Sequence, residues 1–291
     1  MIPFEMVEPT SLSEAVSLLD PREPTVRAVA GGTALMLMMK AGVFQPTRLV
    51  SLHHIEPQYG RIAFGGSGEL RIGAMVTLSE LEHDRNVATR LPVLKRALRT
   101  LSNPRVRNVA RVGGALAHGD PRMDLPPVLA ALDAHVTITG PNAKRELPLV
   151  DLYAGYYETV LEKNELIADV TVPPLNGRKA AYFKVTSRSA DDWPALGIAV
   201  SFALKAGAID EPIVVVSAAT EKVTRMAEAE DVLQGAHPDD PALKRAGDAA
   251  AEEAPILADA HGSAAYKREL LRVYLGRAVR RALGEGAGPR Q

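Results

Sequence analysis

Two Gly-Gly pairs, each set between apolar runs, constrain this chain more than any other feature: AGGTAL at 30–35 and RVGGAL at 111–116. Glycine reaches positive φ at little cost and carries no Cβ. A Gly-Gly bend therefore turns the chain sharply and lets another group lie against the main chain. Where successive N–H groups of such a bend point into one concavity, and a helix starts there, the bend accepts phosphate. Two such bends with few cations nearby point to a pyrophosphate held by backbone amides more than by salt bridges.

The second bend opens the densest stretch of special residues, ARVGGALAHGDPRMDLPP at 110–127. Asp124 is placed to accept a hydrogen bond from a ribose hydroxyl or a nucleobase amine, with His118 and Asp120 lining the same pocket. Two other readings stay open at this point. His118, Asp120 and Asp124 are possible ligands of a hard cation, although no fourth candidate accompanies them. The stretch also fits a tight surface turn, with Asp120 bonding its own backbone and Pro121 fixing φ.

Composition narrows the function classes. Across 291 residues, 46% are hydrophobic, enough for a sizeable core, and the net charge is −1. There is no basic stripe for nucleic acid. The Lys and Arg of KRELLRVYLGRAVRRAL (267–283) sit at helical spacing and read as a solvated helix face. The chain has no cysteine, which excludes disulfides, cysteine-ligated clusters and thiol catalysis within it. No leader pattern opens it, and no run approaches about 18 apolar residues, so the expectation is a cytoplasmic protein without a membrane span. G-x-G-x-x-G after a strand, G-K-S/T, G-x-S-x-G and H-E-x-x-H are all missing, which removes the Rossmann, P-loop, hydrolase-elbow and zincin readings.

Patterning predicts the elements. Ser11 with Glu14, and Thr77 with Glu80, have capping-box spacing and open helices. VRAVA (26–30), TRLVSL (47–52) and ELIADVTVPP (165–174) read as strands, and ALMLMMK after Thr33 as a buried helix stopped at Gly42. Residues 61–74 and 135–149 read as hairpins with Gly-containing turns. KAAYFKV, ALGIAVSFAL and EPIVVVSAA predict a three-stranded antiparallel meander, and the chain is helical from about Met226. The fold class is α+β, divided near residue 176 into domains 1–176 and 177–291.

The ordered motifs AGGTALMLMMK, NPRVRNVARVGGALAHGDPRMDLPPVLAALDA, NELIADVTVP and AYFKVTSRSADDWPALGIAV resemble the FAD-binding (medium) subunits of the molybdenum hydroxylases. That family includes the medium subunit of aerobic carbon monoxide dehydrogenase and the flavin domain of xanthine dehydrogenase. The resemblance covers nearly the whole chain. It implies a two-subdomain FAD-binding fold of the vanillyl-alcohol oxidase type, with subdomains of about 1–55 and 56–176. A C-terminal three-stranded sheet with helices would follow.

By the same resemblance, Ala30, Gly31, Gly32, Thr33, Ala34 and Leu35 would wrap the FAD pyrophosphate. Arg111, Val112, Gly113, Gly114 and Ala115 would face it from the other subdomain. His118 and Asp124 match cofactor-contacting positions, Ile167 a position near the adenine, Lys184 a flavin-proximal lysine, and Tyr182 an aromatic beside the flavin ring. Arg111 and Ala115 depart from the Thr and the Ser or Asn common in relatives. The implied role is electron transfer. Substrate would be oxidised on a molybdopterin-binding large subunit, and electrons would pass through a [2Fe–2S] small subunit to FAD and on to an external acceptor. The partnership would be a hetero-oligomer, with no catalytic acid, base or nucleophile on this chain. Two alternatives accompany this reading: a stand-alone FAD-dependent oxidoreductase acting on a small molecule, and a flavin-less structural subunit.

Overall fold

The computed structural model describes residues 3–285. The chain begins with β1 (Glu5–Val7), α1 (Leu12–Ser17), β2 (Val26–Val29), α2 (Thr33–Lys40) and β3 (Arg48–Ser51). The strands form a parallel sheet of order β1-β3-β2, so this opening segment is a small β-α-β arrangement inside a chain whose other sheets are antiparallel. Ser11 Oγ accepts from the Glu14 N–H at 3.1 Å as predicted, but the Glu14 carboxylate takes the Thr10 N–H at 2.8 Å. The Ser11 capping box is therefore displaced by one residue.

The second segment runs β4 (Ile62–Phe64), β5 (Leu70–Gly73), α3 (Leu78–His83), α4 (Arg85–Arg90), α5 (Pro92–Thr100), α6 (Pro104–Arg107), α7 (Val112–Ala117) and α8 (Leu125–Ala131). It continues through β6 (His135–Thr139), β7 (Lys144–Pro148), β8 (Tyr153–Gly155), β9 (Glu158–Thr159) and β10 (Leu166–Val172). Both predicted hairpins form, and β10 lies between them in the order β4-β5-β10-β6-β7. A central strand is covered on both faces, so LIADVTV is apolar except for Asp169 and Thr171, and every residue but Thr171 is buried. A bulge between Ile167 and Asp169 lets β10 serve two cores. Ile167 and Val170 join the main core, while Leu166 and Ala168 pack with α1 and β2. The Thr77–Glu80 capping box is complete at α3.

The third segment comprises β11 (Lys179–Val185), β12 (Leu196–Lys205), β13 (Ala208–Ser217), β14 (Thr224–Arg225), α9 (Ala227–Leu233), α10 (Asp240–Glu253) and α11 (Ala264–Leu283). The predicted meander is present with a fourth, two-residue strand, in the order β11-β12-β13-β14. Its residues alternate between two cores, as the period of a strand requires. Tyr182, Ala199, Ile213 and Val215 face the main core, whereas Ala181, Ile198, Val214 and Val216 face the three C-terminal helices. Removing each such Ile or Val side chain from water contributes about 1.5–3 kcal/mol. This two-sided sheet therefore welds the C-terminal segment to the rest.

One prediction fails here. The helix at 33–40 was expected to be buried, yet Met39 is its only fully buried residue and Leu37 is 68% exposed. No residue of this helix joins any of the three core clusters, so its apolar side chains stay largely in reach of solvent. Among the described residues, no helix is long and apolar enough to cross a membrane.

Candidate functional site

The first glycine bend joins β2 to α2. Gly32 sits at the helix N-cap with φ +69° and ψ 0°, and no side chain caps the helix. The first helical bond is Met36 N–H to the Gly32 carbonyl at 2.8 Å. Ahead of it, the amides of Gly31, Gly32, Thr33, Ala34 and Leu35 donate to no acceptor among the described residues. A helix start leaves its first N–H groups without intrahelical partners and carries a partial positive charge. Five consecutive amides at this start are therefore left available to an acceptor from outside the chain.

The second bend is built differently. Val112 N–H donates to the Val76 carbonyl at 2.9 Å, Gly113 N–H to the Ala74 carbonyl at 2.8 Å, and Ala115 N–H to the Arg111 carbonyl at 2.9 Å. Val112 and Ala115 turn into the main core. A Cβ on Gly113 would sit 2.6 Å from that of Ala74, so this glycine serves close packing. Gly114 is exposed, and its N–H has no acceptor among the described residues. The Arg111 guanidinium is committed elsewhere: Nη1 donates to the Met75 carbonyl at 2.8 Å and lies 4.0 Å from Glu80.

The two bends meet. A Cβ on Gly31 would overlap the Val109 carbonyl oxygen, so only glycine allows this approach. A Cβ on Gly114 would meet the Ala30 methyl at 3.9 Å, an ordinary van der Waals contact, so the two bends stand side by side.

A second cluster brings together Asp124, Tyr182 and Lys184. Tyr182 and Lys184 are two apart on β11 and share a face. Tyr182 Oη donates to Asp124 Oδ1 at 2.6 Å, and Lys184 Nζ donates to Asp124 Oδ2 at 3.0 Å and to the Thr100 carbonyl at 2.8 Å. Burial pushes the Asp124 carboxyl up, opposed by the Lys184 charge and by the hydrogen bonds from Tyr182 and Lys184. Burial and the neighbouring carboxylate push the Tyr182 phenol up. Gly197, opposite Lys184 on β12, makes room for this cluster. A Cβ there would overlap Ser217 Oγ and come within 3.0 Å of Tyr182 Oη.

His118 caps the end of α7 with its ring edge-on to Tyr157, centroids 5.1 Å apart. Burial pushes its imidazole pKa down against the pull of Asp120. Asp120 accepts from Arg122 N–H at 2.9 Å and Tyr157 Oη at 2.8 Å. Because Asp120 and Asp124 face different partners, the cation reading of this stretch has no ligand set. Ile167 stays in the main core, paired with Ile138 on β6.

Sequence reasoning missed the Val109–Ala110 backbone under Gly31, the Thr100 carbonyl, Gly197, and the Tyr157 partner of Asp120. Gly197 carried a signal, since a glycine within an apolar strand marks a close approach. The others are contacts distant in sequence and carry none.

The protein is thus of mixed helix and sheet, with unpaired amides at a strand-to-helix bend, a second glycine bend against it, and a separate buried acid–tyrosine–lysine cluster. Residues 2–175 match the family described as the FAD binding domain in molybdopterin dehydrogenase, and residues 181–282 the CO dehydrogenase flavoprotein C-terminal domain. The chain is 33% identical to the carbon monoxide dehydrogenase medium chain of Hydrogenophaga pseudoflava, over 97% of each chain. It is 29% identical to the glyceraldehyde dehydrogenase medium chain of Sulfolobus acidocaldarius, over 93% of this chain and 95% of that one. A solved structure of carbon monoxide dehydrogenase from Hydrogenophaga pseudoflava superposes with a TM-score of 0.92 at 34% identity, covering 98% of this chain and 99% of that chain. The chain belongs to the FAD-binding medium subunits of the molybdenum hydroxylases, and its cofactor is FAD.

Proposed function

We propose that this chain holds the FAD diphosphate on the amides of Gly31 to Leu35 and of Gly114, where the two bends meet. The observation that supports this most is the row of five unpaired amides beside an exposed glycine whose own N–H is also unpaired. Backbone donors cost no side-chain ordering, and a helix start favours the anion. Ala30 and Val112, Gly113 and Ala115 support the bends by packing. His118 and the Asp124–Tyr182–Lys184 cluster flank the cofactor, with Lys184 presenting positive charge toward a reduced, anionic ring. Ile167 and Arg111 shape the surroundings from the core and from the start of α3.

The FAD-binding unit is 1–176, of the vanillyl-alcohol oxidase type with subdomains of about 1–55 and 56–176, and 177–291 is the C-terminal α+β unit. Held there, FAD would supply one- and two-electron transfer. Those electrons arrive from the [2Fe–2S] clusters of a small subunit, after substrate oxidation on a molybdopterin-binding large subunit. They leave to an external acceptor, in a cytoplasmic hetero-oligomer. This chain's residues bind and orient, and none acts as acid, base or nucleophile on the substrate. A chain without cysteine requires the clusters to be held by a partner.

The test is the visible spectrum of the purified chain. One bound flavin per chain is expected, and Gly114→Val should lose it while keeping a cooperative unfolding transition. Full flavin content in the folded variant would overturn the assignment.

A further inference from the structure

The last helix reaches back into the loop that carries Asp124. Lys267, in the first turn of α11, is fully buried. Its ammonium bonds Asp259 Oδ1 at 2.8 Å and donates to the Ala218 carbonyl at 3.2 Å. Both contacts lead to residues 119–124. Asp259 Oδ2 accepts from Arg122 Nη2 at 2.9 Å, and Arg122 Nη1 donates to Tyr156 Oη at 2.9 Å. Ala218 N–H donates to the Pro121 carbonyl at 2.8 Å.

Ala218 is itself unusual. It has φ +64° and forms the centre of a three-residue turn closed by Ala219 N–H to the Ser217 carbonyl at 2.7 Å. A residue with a side chain rarely adopts this conformation, and it persists only when the surroundings over-determine it. Here Pro121, Lys267 and the Leu257 N–H, which donates to the Ala219 carbonyl at 2.8 Å, supply that constraint. A buried row of ammonium, carboxylate and guanidinium is a poor way to gain stability, because apolar side chains of similar volume do as well.

We propose that Lys267 is a positioning residue of the flavin site. Through Asp259 and Arg122 on one side and the Ala218 turn on the other, it fixes the 119–124 loop and so aims Asp124 at Tyr182 and Lys184. This rests on the reading that the Asp124 cluster flanks the cofactor. The C-terminal segment is then a brace that sets cofactor geometry.

The full-length chain is titrated with FAD, following flavin fluorescence and the visible spectrum of the bound form. Lys267→Met, Lys267→Arg and Arg122→Met are compared with Gly114→Val. Lys267→Met and Arg122→Met are each expected to weaken FAD binding on the order of tenfold and to move the bound spectrum toward that of free flavin. Lys267→Arg should recover part of both. A lower melting temperature with unchanged affinity and spectrum in Lys267→Met and Arg122→Met overturns the proposal. Should Lys267→Met fail to fold, the half-buried Arg122→Met decides alone by the same criterion. Retention of flavin by Gly114→Val removes the bends as the site, and this proposal with them.

Discussion

Asp124 and Lys184 lie 60 residues apart in sequence and 3.0 Å apart in the fold. Their side chains are only 4% and 7% exposed. The pair crosses from the start of α8 to β11, so an ion pair shielded from water joins the glycine-bend half of the molecule to its C-terminal sheet. Tyr182 completes it by donating to the other carboxylate oxygen.

Removing one member strands the other. Lys184→Met leaves the Asp124 carboxylate buried with Tyr182 alone and should destabilise the fold by about 3–5 kcal/mol. Adding Asp124→Asn should restore much of the loss, because no charge is then stranded. Urea denaturation of the single and double variants checks this, and equal stabilities for the two would refute it.

The contact between the bends predicts opposite outcomes for two similar substitutions. Gly31→Ala drives a methyl into the Val109 carbonyl and should cost about 1–3 kcal/mol as an overpacked site. Gly114→Ala places its methyl at ordinary distance from Ala30, in a helix that favours alanine by up to about 1 kcal/mol. Its melting temperature should be unchanged or raised. Calorimetry of both variants separates the cases.

Ser217 Oγ is fully buried and has no hydrogen-bond partner among the described residues. Ser217→Ala should therefore be neutral or stabilising, since an orphan hydroxyl contributes only its desolvation cost. Gly197→Ala overlaps that hydroxyl and crowds Tyr182, so it should destabilise alone and do so less on a Ser217→Ala background. Additive losses in the double-mutant cycle would contradict this coupling.

Asp259 sets an acid limit. Burial raises its carboxyl, but hydrogen bonds from Lys267, the His261 N–H and Arg122 outweigh that and hold it down at about 2. The unfolded chain thus takes up this proton at a higher pH than the native one. The stabilisation is complete above the ordinary carboxylate pKa, near 3.8, and is lost as pH falls toward about 2. An Asp259→Asn variant should be less stable at neutral pH and lose less stability over that acid interval. An identical acid limb in wild type and variant, read by circular dichroism, would rule this out.

Local rules carried far into the fold. The Thr77–Glu80 cap, both hairpins and the meander follow from period and turn chemistry within a few residues. The Gly32 bend was legible because a positive φ before an apolar helix calls for glycine. The apolar residues of 33–40 misled, because hydrophobicity does not reveal whether a neighbour exists to cover them. The second bend was legible as a bend. Three of its amides, however, are spent on Ala74, Val76 and Arg111, which leaves Gly114, and of those three acceptors only Arg111 is local.

By itself the sequence determined where the chain must turn, cap and alternate, that no thiol chemistry occurs here, and which family it resembles. Tertiary structure alone decided that Gly31 rests on Val109, that Arg111 turns to Met75, and that Asp124 finds Lys184. Backbone preference is settled within a turn or two of chain. The partner of a side chain depends on which distant segments packing brings against it.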